Sequence, residues 1–338
     1  MTLEERIKAF VLLGKAINEI SEEEFGELSW KIENNNNWFI PDQTRLAFLA
    51  ISDMLQEDKL RNWVKSYALI EEVETKDIGI LMAGNIPAVG FHDLLCVLIA
   101  GHHASVKLSS ADLVSIKWLM DKLFAIEPKF SSLVSFEDML KGKDAYIATG
   151  SDNSARYFNY YFGKYPHIIR KNRTSVAVLD GSETASDYQE LAKDVFQYFG
   201  MGCRNVSKIF INQESSLIGF LDNINGFQFL GSHHKYLNNY DYNKSIYLVN
   251  KDTHFDNGFL LLKESHDLVS PIGVLYYEYY QDLEDLKSKI NPLKEKVQCI
   301  VSRGAWFENS IPFGEAQCPG LADYADGVDT MEFLIKLK

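Results

Sequence analysis

Apolar positions recur at helical spacing through the first part of the chain. Val11, Leu12, Ala16 and Ile17 fall on one face of a first helix, and Leu46, Ala50, Ile51 and Leu55 on one face of a later one. Asn34–Asn37 reads as a polar loop ending at Trp38, and Trp63 lies in a third amphipathic stretch, so residues 1–70 are expected to be helical. From residue 76 the pattern changes. IGILMAGNIP (78–87) is a short apolar run ending in Gly-Asn and a proline. HDLLCVLIAG (92–101) is an apolar helix closed by Gly101. ASVKLSS (104–110) is a second short strand, DLVSIKWLMDKLF (112–124) a helix, and DAYIATGS (144–151) a third strand. A helix follows, capped by Ser151 or Asp152. Strand alternating with helix is the signature of a parallel sheet covered on both faces.

A second block opens at TSVAVLDG (174–181). The helix DYQELAKDVFQYF (187–199) comes next, then GMGCRNV, then strands at KIFIN (208–212), SIYLVN (245–250), GFLLLK (258–263) and IGVLYYEYY (272–280). QDLEDLKSKI (281–290) reads as a helix and VQCIVS (297–302) as a strand; the EYY and NNYDYN stretches read as half-buried strand aromatics, with the lining of a substrate channel as the alternative. The boundary between the blocks is placed near residue 170. The terminal TMEFLIKLK (330–338) reads as a strand able to pair with another subunit's sheet.

Composition narrows the function. With 338 residues, 46% of them hydrophobic, the chain can bury a large core and suggests two domains. The net charge of -13, with no basic stripe, argues against a polyphosphate partner, so no nucleic acid is expected. No run of about 18 apolar residues occurs, so no membrane span is expected. MTLEERIKAF has no signal-peptide pattern. Four widely spaced cysteines without a CxxC pair point to reduced thiols in a cytoplasmic protein and argue against zinc. The doublets His102-His103 and His233-His234 place successive side chains on opposite faces, which argues against chelation; no metal is expected.

In an open parallel sheet, ligands bind at the carboxyl ends of the strands. Three polar clusters fall there: Gly84-Asn85, Lys107 with Ser109 and Ser110, and Gly150-Ser151. No G-x-G-x-x-G occurs. Cys203 stands apart from the other thiols. Gly200-Met201-Gly202 precede it and Arg204 follows, a setting that allows close approach and favours a thiolate. Cys96 and Cys299 lie in apolar runs and read as core residues; Cys318, before Pro319-Gly320, is left open.

These segments, in order, resemble the aldehyde dehydrogenase superfamily. GNIPAVGFHDLLCVLIAGHHASVKLSS is similar to its stretch of Asn-x-Pro, helix, Ala-Gly-Asn and a strand ending Lys-Pro-Ser. IATGSDNSARYF resembles its Thr-Gly-Ser turn, FGMGCRNVSKIFI its Gly-Gln-x-Cys segment, LVSPIGVLYY its Phe-Gly-Pro-Val strand, and IPFGEAQCPG its Pro-Phe-Gly-Gly turn. The resemblance spans residues 78–320 and is nearest in wording to the acyl-CoA reductase branch, which includes the bioluminescence fatty acyl-CoA reductases. This chain is shorter than the usual members.

The resemblance implies an α/β fold: an N-terminal helical segment and two Rossmann-like parallel-sheet domains. These are residues 1–170 (helices plus nicotinamide-cofactor domain), 171–320 (catalytic domain) and a tail, 321–338. It makes Cys203 the nucleophile and Asn85 the side-chain donor of an oxyanion hole completed by the Cys203 N–H. Lys107 and Ser109 match groups near the adenosine ribose, Gly150 and Ser151 the turn beside the pyrophosphate, and Asp267 a Glu that holds the nicotinamide ribose. Phe313 matches a residue of a turn near the active site.

Two departures refine this. Where oxidising members carry Glu-Leu-Gly-Gly-Lys, with the Glu that activates hydrolytic water, this chain has Arg170-Lys171-Asn172-Arg173-Thr174. Where they carry the acid of Lys-Pro-Ser-Glu, it has Ser110, which favours NADPH while leaving NADH open. The expected activity is reduction of an acyl thioester, on CoA or an acyl carrier protein, to an aldehyde through a Cys203 thioacyl enzyme. A redox-silent acyl-handling subunit or scaffold is the alternative, and an ordinary aldehyde oxidiser a third, disfavoured by the missing Glu. A homo-oligomer is among the expected states.

Overall fold

The computed structural model describes residues 1–67 and 74–337, so the helical reading of 68–70 and the last residue of TMEFLIKLK lie outside the described residues. The chain divides into two compact units, Met1–Asn172 with Gly320–Lys338, and Arg173–Pro319.

The first unit begins with four helices: α1 (Leu3–Asn18), α2 (Glu22–Asn35), α3 (Pro41–Met54) and α4 (Glu57–Lys65). Thr2 and Glu5 form a capping box that starts α1, and Ser21 caps α2 through the Glu24 N–H. The helices form as expected, but their buried faces are rotated. Ile7, Phe10, Leu13 and Ile17 are buried in α1 while Leu12 is exposed; Ala47, Phe48 and Ile51 are buried in α3 while Leu46 is exposed. Adjacent apolar residues cannot all share one face, and packing selects the i, i+3, i+4, i+7 set.

The sheet of this unit contains β1 (Asp77–Leu81), β2 (His103–Lys107), β3 (Val134–Phe136), β4 (Ala145–Thr149) and β5 (His167–Arg170). All pair in parallel, in the order β3-β2-β1-β4-β5. Helices α5 (Phe91–Ala100), α6 (Leu113–Ile126) and α7 (Asp152–Phe162) connect them. From Leu94 to Ala100 every residue of α5 is essentially inaccessible, so this helix is the centre of the core.

The second unit holds β6 (Thr174–Val178), α8 (Ala185–Phe196), β7 (Val206–Ile211), α9 (Ser215–Asn223), α10 (His234–Asn250), β8 (Phe255–Asp256), β9 (Leu261–Glu264), β10 (Val274–Tyr279), α11 (Leu283–Ile290), β11 (Val297–Ser302) and β12 (Ser310–Pro312). The strand order is β12-β11-β6-β7-β10-β9-β8, parallel except for the β8–β9 pair at one edge. The fold class is α/β with two parallel-dominated sheets.

Two expectations are corrected. SIYLVN (245–250) and NNYDYN are not strands but parts of α10. Their β-branched and aromatic residues suggest a strand, yet Tyr236, Tyr240, Asn243 and Tyr247 are buried at helical spacing, and Leu248 and Val249 are left exposed. TMEFLIKLK is not a pairing strand either. Thr330–Ile335 form α12, capped by Asp329 accepting from the Glu332 N–H at 2.8 Å, with Met331 and Leu334 fully buried one turn apart. Its backbone donors are committed inside the helix, which packs on α5 in the first unit rather than forming a separate tail. Trp63 Nε1 and the Tyr67 hydroxyl both reach the Tyr324 hydroxyl (2.8 and 2.6 Å), and Tyr67 donates to Asp329, fastening this returning segment to the N-terminal helices. Among the described residues no helix is long and apolar enough to cross a membrane.

Candidate active site

The strand order of the first unit decides where its loops meet. β1 has β2 on one side and β4 on the other, so the chain reverses direction across the sheet between β1 and β4, and the crevice of such a sheet opens there. In register, Leu81 pairs with Lys107 on β2 and with Ala148 on β4. The three polar clusters therefore emerge side by side at the carboxyl ends of three adjacent strands: Lys107, Ser109 and Ser110 after β2, Gly84-Asn85 after β1, and Gly150-Ser151 after β4. Lys107, Asn85, Ser110 and Ser151 are exposed.

Gly84 is required at its position. A Cβ there would lie 2.4 Å from Ser109 Oγ and 2.6 Å from Ser109 Cβ, so only glycine lets the two loops touch. Ser109 Oγ accepts the Ala111 N–H, and Ser151 caps α7 by accepting from Ser154 at 3.2 Å. The N-terminus of α7 thus faces the same crevice edge, a setting suited to a pyrophosphate. Asp112, which the sequence reading passed over as a helix start, holds the Asn85 loop. Its carboxylate accepts the Ala88 N–H at 2.7 Å, while burial pushes its pKa up to about 7.

In the second unit, Cys203 follows an unusual turn. Tyr198, Phe199 and Gly200 are consecutively left-handed, with φ of 53°, 56° and 77°. For the two non-glycine residues this costs about 1–2 kcal/mol each, strain that persists only where surroundings enforce it. Asn205 is the enforcer. Its Nδ2 donates to the carbonyls of Asp194 (2.9 Å) and Gln197 (2.9 Å), and its Oδ1 accepts the Gly202 N–H at 2.8 Å. Behind the turn, the Ser175 hydroxyl donates to the Cys203 carbonyl at 3.2 Å and lies 3.0 Å from the Cys299 thiol.

The four thiols differ in setting: Cys96 is buried, Cys203 and Cys299 are half-buried, and Cys318 is exposed. Burial pushes the Cys299 thiol up, which makes it a poor nucleophile. Asp267 is exposed on the loop between β9 and β10. Ser207, four residues beyond Cys203, donates to the Leu268 carbonyl at 2.8 Å, so that loop lies against the strand leaving the cysteine turn. A cavity of about 30 Å³, room for a single water, separates Phe199 and Gly200 from Ser270–Val274. Phe313 is buried.

No family model matches the sequence, and no curated protein matches it significantly. Solved structures do resemble it. An acetylating aldehyde dehydrogenase from Geobacillus thermoglucosidasius superposes with a TM-score of 0.65 at 11% identity, over 96% of this chain and 84% of that one. A Mycobacterium tuberculosis aldehyde dehydrogenase complexed with NAD+ gives 0.63 at 13% identity, over 89% and 73%. An E. coli NADP-dependent enzyme gives 0.66 at 10% identity, over 94% and 76%. The fold is that of the aldehyde dehydrogenases.

Within an aldehyde-dehydrogenase fold, the segment carrying Arg170 acquires a structural explanation. Arg170 is buried; it pairs with Asp93 of α5 at 2.6 Å and donates to the Thr330 hydroxyl of α12 at 2.8 Å. It ties β5 to α5 and α12 within the core of the first unit. The His102-His103 doublet is likewise absorbed by structure. His102 is buried and touches the Lys76 N–H and the Leu334 carbonyl; His103 contacts Asp77. Among the described residues no three His, Cys, Asp or Glu side chains gather in a way that suits a metal ion. Asn205 and Asp194 were missed by sequence reasoning, although one signal was present. Asp194 is a charge on the buried stripe of α8, beside Leu191 and Val195.

Proposed function

We propose that this protein reduces an acyl thioester, carried on CoA or an acyl carrier protein, to an aldehyde, with Cys203 as nucleophile. The observation that carries the reading is the strained, Asn205-braced turn that delivers Cys203. An aldehyde-dehydrogenase fold supports nicotinamide-dependent oxidoreductase chemistry, and Arg170 in place of a water-activating Glu supports release to a thiol rather than to water.

The residues of the first unit fit a nicotinamide dinucleotide. Gly84 lets the loops after β1 and β2 close on each other, Ser151 and the start of α7 suit the pyrophosphate, and Lys107 with Ser109 suits the adenosine ribose. Ser110, where a carboxylate would repel a 2′-phosphate, supports NADPH over NADH. When bound, the cofactor supplies a hydride. The chain's residues do the rest. The Cys203 thiolate attacks the thioester carbonyl and the carrier thiol departs. Asn85 and the Cys203 N–H donate to the oxyanion, each such donor being worth about 2.7–4 kcal/mol. Asp267 orients the nicotinamide ribose, and the Cys203 sulfur leaves as thiolate when the aldehyde forms.

The test is nicotinamide oxidation against a panel of acyl-CoA and acyl-carrier-protein thioesters. Consumption should depend on the thioester and vanish in Cys203→Ala. No consumption with any thioester would move the redox-silent reading ahead of this one.

A further inference from the structure

β11 begins irregularly. Val297 lies opposite Thr174 of β6 and Ile300 opposite Val176, so the strand carries a bulge at Gln298-Cys299. On its other side β12 pairs only with Ile300–Ser302 and does not reach the start of the strand. A cavity of about 300 Å³ opens there, walled by the end of α11 and by residues 307–309. Asn309 in that wall is left-handed, with φ of 58°.

The lining is of two kinds. Ile290, Val297 and Phe307, all buried, and half-buried Ile300 supply apolar surface. Burial pushes the Cys299 thiol up, so the sulfur beside them is neutral. Lys287 and Lys294 also line the cavity and are exposed, so they stand at its mouth. Lys287 faces Glu308 at 3.7 Å, whereas Lys294 has no ion pair among the described residues.

The cavity is distinct from the cysteine turn. Its lining includes no residue from Gly200 to Asn205. Cys299 meets Ser175, which is fully buried and donates to the Cys203 carbonyl, so Ser175 stands between the two.

The volume falls at the small end of ligand sites, which run from about 300 to 1,000 Å³. At the ~30 Å³ that a water occupies, it holds about ten heavy atoms. Apolar walls favour hydrocarbon, and an unpaired ammonium at the mouth favours an anion. We infer that this cavity is a non-covalent site for a medium-chain carboxylate, its hydrocarbon against Ile290, Val297, Ile300 and Phe307 and its carboxylate at Lys294. The inference does not depend on the reading of Cys203 as the nucleophile.

The experiment is calorimetric titration of the full chain with octanoate, which has the size and chemistry the cavity asks for. Wild type should bind one equivalent. Butanoate, four methylenes shorter, should bind more weakly by about tenfold or more. Octan-1-ol keeps the chain and lacks the charge, and it should also bind more weakly. Lys294→Glu turns an attraction at the mouth into a repulsion and should weaken octanoate by about tenfold. Lys294 is exposed, so this variant should melt as wild type does. Ile300→Trp should fill the cavity and abolish binding. Absence of saturable octanoate binding to the wild type overturns the inference, and this arm needs no variant to fold. Equal octanoate affinity in wild type and Lys294→Glu overturns it as well, because the ligand then sits elsewhere. Octan-1-ol binding as tightly as octanoate overturns the assignment to a carboxylate.

Discussion

Arg170 and Asp93 form an ion pair of 2.6 Å, with side chains 4% and 14% exposed, that joins the end of β5 to the first turn of α5. The pair belongs to the core of the first unit. Removing one partner of such a pair leaves a buried charge uncompensated, at about 3–5 kcal/mol. Arg170→Ala should therefore lower the unfolding free energy by that amount in urea melts. Arg170→Glu, facing Asp93, should be worse still and should not create a hydrolytic activity.

Asp112 should make stability fall with rising pH. Its pKa is raised from 3.8 to about 7 in the fold by burial, so the unfolded chain loses this proton first. The stabilisation is fully present below about pH 4 and declines up to about pH 7. Asp112→Asn keeps an acceptor for the Ala88 N–H and removes the titration. Its advantage over wild type should widen by on the order of 2 kcal/mol between pH 5 and pH 8. A constant difference across that range in denaturant titrations contradicts the assignment.

Asn85 should act on acylation and not on cofactor binding. Asn85→Ala should slow acyl transfer to Cys203 by roughly 10²–10³, the usual effect of losing one oxyanion donor. Its affinity for NADPH should be unchanged. Stopped-flow release of the carrier thiol, paired with calorimetric cofactor titration, separates the two. Loss of cofactor affinity with acylation intact would move Asn85 to the cofactor site.

The elements were legible in the sequence where chemistry is local. Apolar runs ending in glycine, asparagine or serine became strands ending at loops, because turn residues act within a few positions of themselves. The order of those strands was not legible, and it is the order β2-β1-β4 that brings Lys107, Gly84-Asn85 and Gly150-Ser151 to adjacent positions. α10 was misread because its exposed Leu248 and Val249 imitate a strand, and only long-range burial of Tyr236, Tyr240 and Tyr247 selects the helix. Asp112 and Asp194 escaped notice because a carboxyl at a helix start or on a helix face reads as solvated until its burial is known.

Ser110 should set the cofactor preference. With Lys107 three residues before it, a 2′-phosphate gains charge-assisted hydrogen bonds that a carboxylate would oppose. Calorimetry should give tighter binding of NADPH than of NADH. Ser110→Glu should erase or reverse the difference. Tighter NADH binding in the wild type contradicts the preference.

The central claim is that Cys203 carries the acyl group, and it can be tested without turnover. The protein is incubated with an acyl-CoA in the absence of nicotinamide, quenched in acid, and weighed intact and as peptides. The account predicts an added acyl mass on the peptide containing Cys203, absent in Cys203→Ala and discharged when NADPH is supplied. An unmodified protein, or an acyl group on Cys318 with Cys203 untouched, would contradict it.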